Sequence, residues 1–162
     1  MIYTKGVITM GEAMTGLKRS HMCCDVSEAL IGSEVTVMGW VQRRRDLGQL
    51  IFIALRDRTG IVQAVFDGNT SAEELFKRAE TIRSEYVIAV KGTVAARTEG
   101  NVNKNMKTGE IEVHIKTLEV LGDVFKTLPF EVKSSKTSTE ETRLKYRYLD
   151  LRYKEVHDNI LF

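Results

Sequence analysis

Residues 50–66 read LIFIALRDRTGIVQAVF, two apolar, β-branched runs separated by a polar turn that ends in glycine. Side chains alternate between the two faces of a strand. Ile51, Ile53 and Leu55 therefore form one aliphatic row, and Phe52, Ala54 and Arg56 lie on the opposite face. In the second run Gln63 stands between the apolar Ile61 and Val65. A half-buried amide there needs a hydrogen-bonding reason to be placed. Working outward from this pair, Glu34–Arg44 reads as the preceding strand, and Tyr86–Ala96 and Glu110–Leu121 as the following ones. The fourth run is preceded by a helix. Ser71 with Glu74 reads as a capping box, and Leu75, Phe76, Ala79 and Ile82 recur at helical spacing.

Three strands, a helix and two strands is the order of an OB-fold, a five-stranded Greek-key barrel that closes most of its own edges. The expected class is thus all-β with minor α, the helix lying between strands three and four. A ferredoxin-like α+β fold would need a second helix among the strands. The expected organisation is an N-terminal extension over 1–24, the barrel over 25–121, and a linker and helix over 122–162. Asp25 is a candidate cap for a short helix through Ser27, Glu28, Ala29 and Leu30 that ends at Gly32. Past Leu121 the only proline, Pro129, lies in GDVFKTLPFEVKSSKTS, which reads as a polar connector. Ser138 or Thr139 then caps a helix through Glu140, Glu141, Leu144, Tyr148 and Leu151.

The face opposite the aliphatic rows carries the candidate chemistry. Phe52 points outward, where it either stacks on a nucleobase or packs under the loop before the last strand or the N-terminal helix. Gln63 offers a donor and an acceptor to a base edge such as uracil, or satisfies neighbouring backbone. Arg43, Arg44 and Arg45 end the first strand, and alternation sends them in different directions, so one or two of them face a ligand. In the last strand Ile111, Val113 and Ile115 face inward, which leaves Glu110, Glu112 and His114 outward. An acid there is useful to RNA if it accepts from a base amino or imino group. His114 reads as a solvated polar side chain on the outer face rather than a functional one, and Trp40 as a packing residue. The amide-rich loop from Arg97 to Gly109, with Asn101 and Asn103, suits a groove that clamps single strands.

Composition removes several classes. With 24 basic and 22 acidic residues the net charge is +2, which neither demands nor excludes a nucleic-acid partner. Cys23 and Cys24 alone are not a disulfide framework. No apolar run approaches the roughly 18 residues of a membrane span, so no membrane partner is expected. The opening MIYTKGVITMGEAMTG has no secretory pattern, which places the chain in the cytoplasm by default. His21, His114 and His157 have no metal-ligand spacing, and neither a phosphate-binding Gly-rich loop nor a GxSxG nucleophile is present. The expectation is a chain that binds without catalysing, with no metal or cofactor of its own. Ile160, Leu161 and Phe162 form an apolar triplet without a stop signal, and the natural chain is expected to continue.

GWVQRRRDLGQLIFIALRDRTGIVQAVF, SEYVIAVKGTV, NMKTGEIEV and TRLKYRYLDLR together resemble bacterial-type aspartyl-tRNA synthetases over about Gly16 to Phe162. Lysyl- and asparaginyl-tRNA synthetases share the barrel, but RRRDLG with LIFI resembles the aspartyl group. The resemblance implies an anticodon-binding domain followed by a hinge. It implies that Phe52 stacks on an anticodon base, that Gln63 reads the central base, and that Arg45, Asn101, Asn103 and Glu112 contact the loop. Arg43, Arg83 and Arg97 would be backbone contacts. It implies the anticodon loop of tRNA(Asp) as partner, and a homodimeric parent whose catalytic domain, beyond Phe162, uses ATP and Mg2+, while this stretch alone is monomeric. Ala54, Cys24, Ala95 and Tyr153 depart from the family pattern. Two rival functions are a free-standing OB protein that coats single strands without preference, and a protein-interaction module.

Overall fold

The computed structural model describes residues 16–126 and 128–160. The opening segment that lacks a secretory pattern, and most of the final apolar triplet, lie outside the described residues. Five strands form: β1 (Glu34–Asp46), β2 (Leu50–Arg56), β3 (Ile61–Asp67), β4 (Val87–Ala96) and β5 (Ile111–Gly122), with helix α1 (Glu73–Thr81) between β3 and β4. They close as a barrel in the order β1-β2-β3-β5-β4, with β4 pairing back onto β1. Every pairing is antiparallel except the β3–β5 seam, where Ala64 faces Val113 and Val65 faces His114. This is the five-stranded OB barrel.

One long strand serves two neighbours because it bends. Glu34 to Trp40 of β1 pairs with β4, Trp40 to Asp46 pairs with β2, and a bulge between Val41 and Arg43 marks the turnover. Gly39 makes the bend possible, since a Cβ there would lie 2.3 Å from the Arg56 carbonyl oxygen. Beside the bulge, Arg56 donates two hydrogen bonds to Glu85, at 3.1 and 3.0 Å. Inside the barrel, Ile51, Ile53, Leu55, Val62, Ala64, Phe66, Ile111, Val113 and Ile115 are all sealed at 4% exposure or less. The alternation deduced for β2 and β5 therefore holds, and apolar burial is what fixes the register.

Local details differ from the sequence expectation. Ser71 is not the cap of α1: its N–H goes to the Asp67 carbonyl at 2.8 Å, and Ala72 occupies the cap position without a side-chain bond. The Asp67 carboxylate also takes Asn69 N–H at 2.9 Å. The strand end thus collects the turn's donors and delays the helix to Glu73. The N-terminal segment is two short 3-10 turns, Cys23–Asp25 and Glu28–Leu30, with Asp25 closing the first rather than capping a helix. The buried Asp57 organises that segment. It accepts Cys23 N–H at 2.7 Å and the N–H and hydroxyl of Thr59 at 2.7 and 2.6 Å.

The chain divides into two compact units, one ending at Val124 and one beginning at Phe125. The second is not a connector plus one helix. It holds a 3-10 run (Val132–Thr137) and three short helices, α2 (Glu140–Lys145), α3 (Arg147–Asp150) and α4 (Lys154–Asp158). Thr139 is the cap of α2, accepting Thr142 N–H. Tyr146 leaves helical geometry, with φ −111° and ψ 42°. Leu144 and Tyr148 are exposed, whereas Leu149 and Asp150 are buried. Asp150 receives Arg143 Nε at 3.0 Å and Arg147 Nη1 at 2.6 Å. Burial would raise its pKa, and the hydrogen bonds from Arg143 with the two guanidinium charges more than offset that, holding it below the usual carboxylate range. Among the described residues, no helix is long and apolar enough to cross a membrane.

Candidate nucleic-acid interface

Register assembles the outer face. Arg45 lies opposite Phe52, Phe52 opposite Val65, and Val65 opposite His114, so these residues form one row across β1, β2, β3 and β5. A second row runs Arg43, Ala54, Gln63. The bulge after Val41 sets this phase. Arg43 and Arg45 stand on the outer face, while Arg44 turns away to the Glu80 and Ile82 carbonyls at the end of α1 and to Asp46 at 3.0 Å. Two of the three arginines therefore share a face with Phe52.

Phe52 is half-buried, not sealed, and the Arg45 guanidinium carbon lies 5.6 Å from its ring centroid. A planar cation against one aromatic face leaves a platform that suits a further stacked ring. In the neighbouring row, Gln63 Nε2 donates to Glu112 at 3.2 Å, and His114 Nε2 lies 3.0 Å from the other Glu112 oxygen. Glu112 is outward as expected, yet its side chain is only 16% exposed because these partners cover it. The hydrogen bond to Glu112 raises the His114 pKa; burial opposes this, and the Glu112 and Asp67 charges add to it.

Arg97, which the resemblance makes a backbone contact, is drawn inward. It is 9% exposed, its Nε donates to the Ile111 carbonyl at 2.9 Å, and its sealed Nη2 has no partner among the described residues. Burial lowers its pKa, Glu112 opposes that, and Arg45 adds to it. Arg97 is thus an electrostatic neighbour beneath the face. Asn101 is exposed and donates to Thr98 Oγ1 at 2.9 Å, while Asn103 Oδ1 accepts Asn105 N–H at 3.1 Å. These amides shape their own loop, which is tied back by Thr108 Oγ1 donating to the Ile61 carbonyl at 2.6 Å. Arg83 is exposed in the turn after α1, and nothing among the described residues joins it to the Phe52 rows. Trp40 is half-buried in an apolar groove with Leu17, Met38, Val87 and Leu121. His114 is the participant that sequence reading passed over, although the Glu-x-His spacing already put both side chains on one face.

Residues 35–121 match the tRNA anti-codon family, an OB-fold nucleic acid binding domain. The chain belongs to this family. The aspartate-tRNA ligase of Agathobacter rectalis is 52% identical over 94% of this chain. The aspartate-tRNA(Asp/Asn) ligase of Thermoanaerobacter pseudethanolicus is 49% identical over 94% of it. The chain spans 25% of the length of each. A solved asparaginyl-tRNA synthetase from Pyrococcus horikoshii, complexed with asparaginyl-adenylate, superposes with a TM-score of 0.70 at 32% identity, covering 85% of this chain and 29% of that one. In OB-folds generally, the strand 2 and 3 face and the loops beside it bind oligonucleotides and oligosaccharides. That is the face on which Phe52 and Gln63 stand. Among the described residues, no group of three or more His, Cys, Asp or Glu is placed to hold a metal ion.

Proposed function

We propose that this chain is the anticodon-recognition domain of an aspartate-tRNA ligase and binds the anticodon loop of tRNA(Asp). The observation that carries the reading is the pair of rows on one face of an anticodon-family barrel, a half-open Phe52 beside Arg45 and a Gln63 amide beside it. An unpaired base stacks on Phe52, Gln63 pairs with a base edge, Glu112 accepts from a base amino or imino group, and Arg43 and Arg45 meet phosphates. Asn101 and Asn103 lie in the loop before β5, and Arg83 and Arg97 contribute positive charge outside the two rows. The parent enzyme would attach aspartate to tRNA as a cytoplasmic homodimer, with ATP and Mg2+ held by its catalytic domain. Recognition is the share of that work carried by this chain.

A titration of the full 162-residue chain against a labelled stem-loop with the anticodon GUC, at fixed salt, tests this. Phe52→Ala is expected to weaken binding by about 1–3 kcal/mol. Equal affinity for poly-U would favour a non-specific single-strand binder. No binding at low salt, where phosphate contacts are strongest, would leave the protein-interaction reading.

A further inference from the structure

Gln63, Glu112 and His114 form a chain of side chains whose chemistry allows only one arrangement. An ionised carboxylate accepts hydrogen bonds and never donates them. With Glu112 contacting Gln63 at 3.2 Å, the amide must turn its nitrogen toward the acid. The other Glu112 oxygen is held at 3.0 Å by His114, which donates from Nε2 as imidazolium or as the neutral Nε2–H tautomer. His114 comes from the strand that closes the barrel seam, and Gly92 on β4 comes so close that a Cβ there would lie 2.2 Å from the His114 carbonyl oxygen. The ring therefore hangs from backbone packed tightly against the neighbouring strand. Among the described residues, nothing donates to Gln63 Oε1.

We propose that His114 is a positioning residue for base selection. By holding Glu112 it fixes the Gln63 amide with its carbonyl oxygen toward the ligand, so that the face favours a base presenting an imino N–H, such as uracil N3–H. Cytosine offers a bare N3 acceptor at the same place and meets the carbonyl oxygen lone pair to lone pair. Without His114, Glu112 is free to swing, the amide is free to flip, and either base finds a partner. The inference rests on the anticodon-loop reading above and adds to it the residue that sets the amide's polarity.

The test is the ratio of dissociation constants for two stem-loops, anticodons GCC and GUC, measured with the 162-residue chain and its variants. Wild type is expected to favour GUC by about 5- to 100-fold, the worth of one well-made base contact. His114→Ala is expected to cut that ratio by about 2- to 10-fold, the worth of one hydrogen bond. His114→Gln, which restores a donor, is expected to recover part of it. A thermal melt confirms that the variants fold, and Glu112→Gln gives a second route, because an amide at 112 no longer dictates the polarity of Gln63. An unchanged ratio in His114→Ala overturns the proposal while leaving anticodon binding standing. Equal wild-type affinity for the two loops likewise overturns it alone, whereas no binding to either loop removes the anticodon reading with it.

Discussion

The two faces of the same strands are held by different physics. Inside, the rows of β2, β3 and β5 are apolar, sealed and mutually redundant, so that each side chain touches several others and no single contact is directional. Outside, Phe52 depends on Arg45, Gln63 on Glu112, and Glu112 on His114. A packed interior tolerates the loss of a contact by paying in stability and keeping its shape. A linked polar row keeps its stability and loses its orientation. Stability and recognition are therefore separable in this barrel, although they alternate residue by residue along one strand.

Leu55→Ala is the largest expected breach. It should lower unfolding free energy by about 2–5 kcal/mol, read by urea denaturation, and leave RNA affinity unchanged where the protein is still folded. Phe52→Ala, three residues away on the opposite face, should reverse the pattern. Its affinity cost for the anticodon stem-loop is about 1–3 kcal/mol, with a smaller stability loss than Leu55→Ala. If both substitutions moved stability and affinity together, the separation of the faces would be wrong. Arg45→Gln should weaken binding more gently and flatten the plot of log affinity against log salt by roughly 0.7, as expected for one phosphate contact to a single strand. Arg44→Gln sharpens the contrast. Its guanidinium is spent on the α1 carbonyls and Asp46, so the slope should stay put.

The inner rows could be read from the sequence because alternation is a geometric necessity of strands, and Ile51, Ile53 and Leu55 had only one face on which to be apolar. The outer face was readable as far as direction. Phe52, Gln63, Glu112 and His114 all point where the alternation sends them. What each touches was not readable, because hydrogen-bond partners come from register across the β3–β5 seam, where Gln63 meets Glu112, 49 positions away in the chain. The burial of Arg97 was not readable because its residue type belongs on surfaces, and only tertiary structure shows the Ile111 carbonyl that draws it in. The second unit misled for a related reason. Leu144, Tyr148 and Leu151 have helical spacing, but the helix breaks at Tyr146 and Asp150 is buried against Arg143 and Arg147, pairings that the stripe does not signal. The Gln42 bulge left no mark in the sequence, yet it decides which arginines meet the ligand.

The smallest expected effect tests the outer face without RNA. The hydrogen bond to Glu112 favours the charged ring of His114, the partial burial of the ring opposes this, and the Glu112 and Asp67 carboxylates add to it. Its folded-state pKa is therefore raised above the ordinary imidazole value of about 6.5. A raised pKa means that the folded state holds its proton more tightly than the unfolded state does. The stabilisation is fully present below about pH 6.5 and is lost as pH climbs through the higher folded value. The His114 side chain is 47% exposed, and solvent screening keeps the contribution under about 1 kcal/mol. An NMR titration of the ring carbon protons should show His114 titrating above the ordinary imidazole value of about 6.5. The melting temperature of His114→Gln relative to wild type should converge as pH rises past that midpoint. If His114 titrated at or below the ordinary value, the ring would not be holding Glu112. The outer face would then be a set of independent side chains rather than a linked row, and the contrast with the interior would reduce to polarity alone.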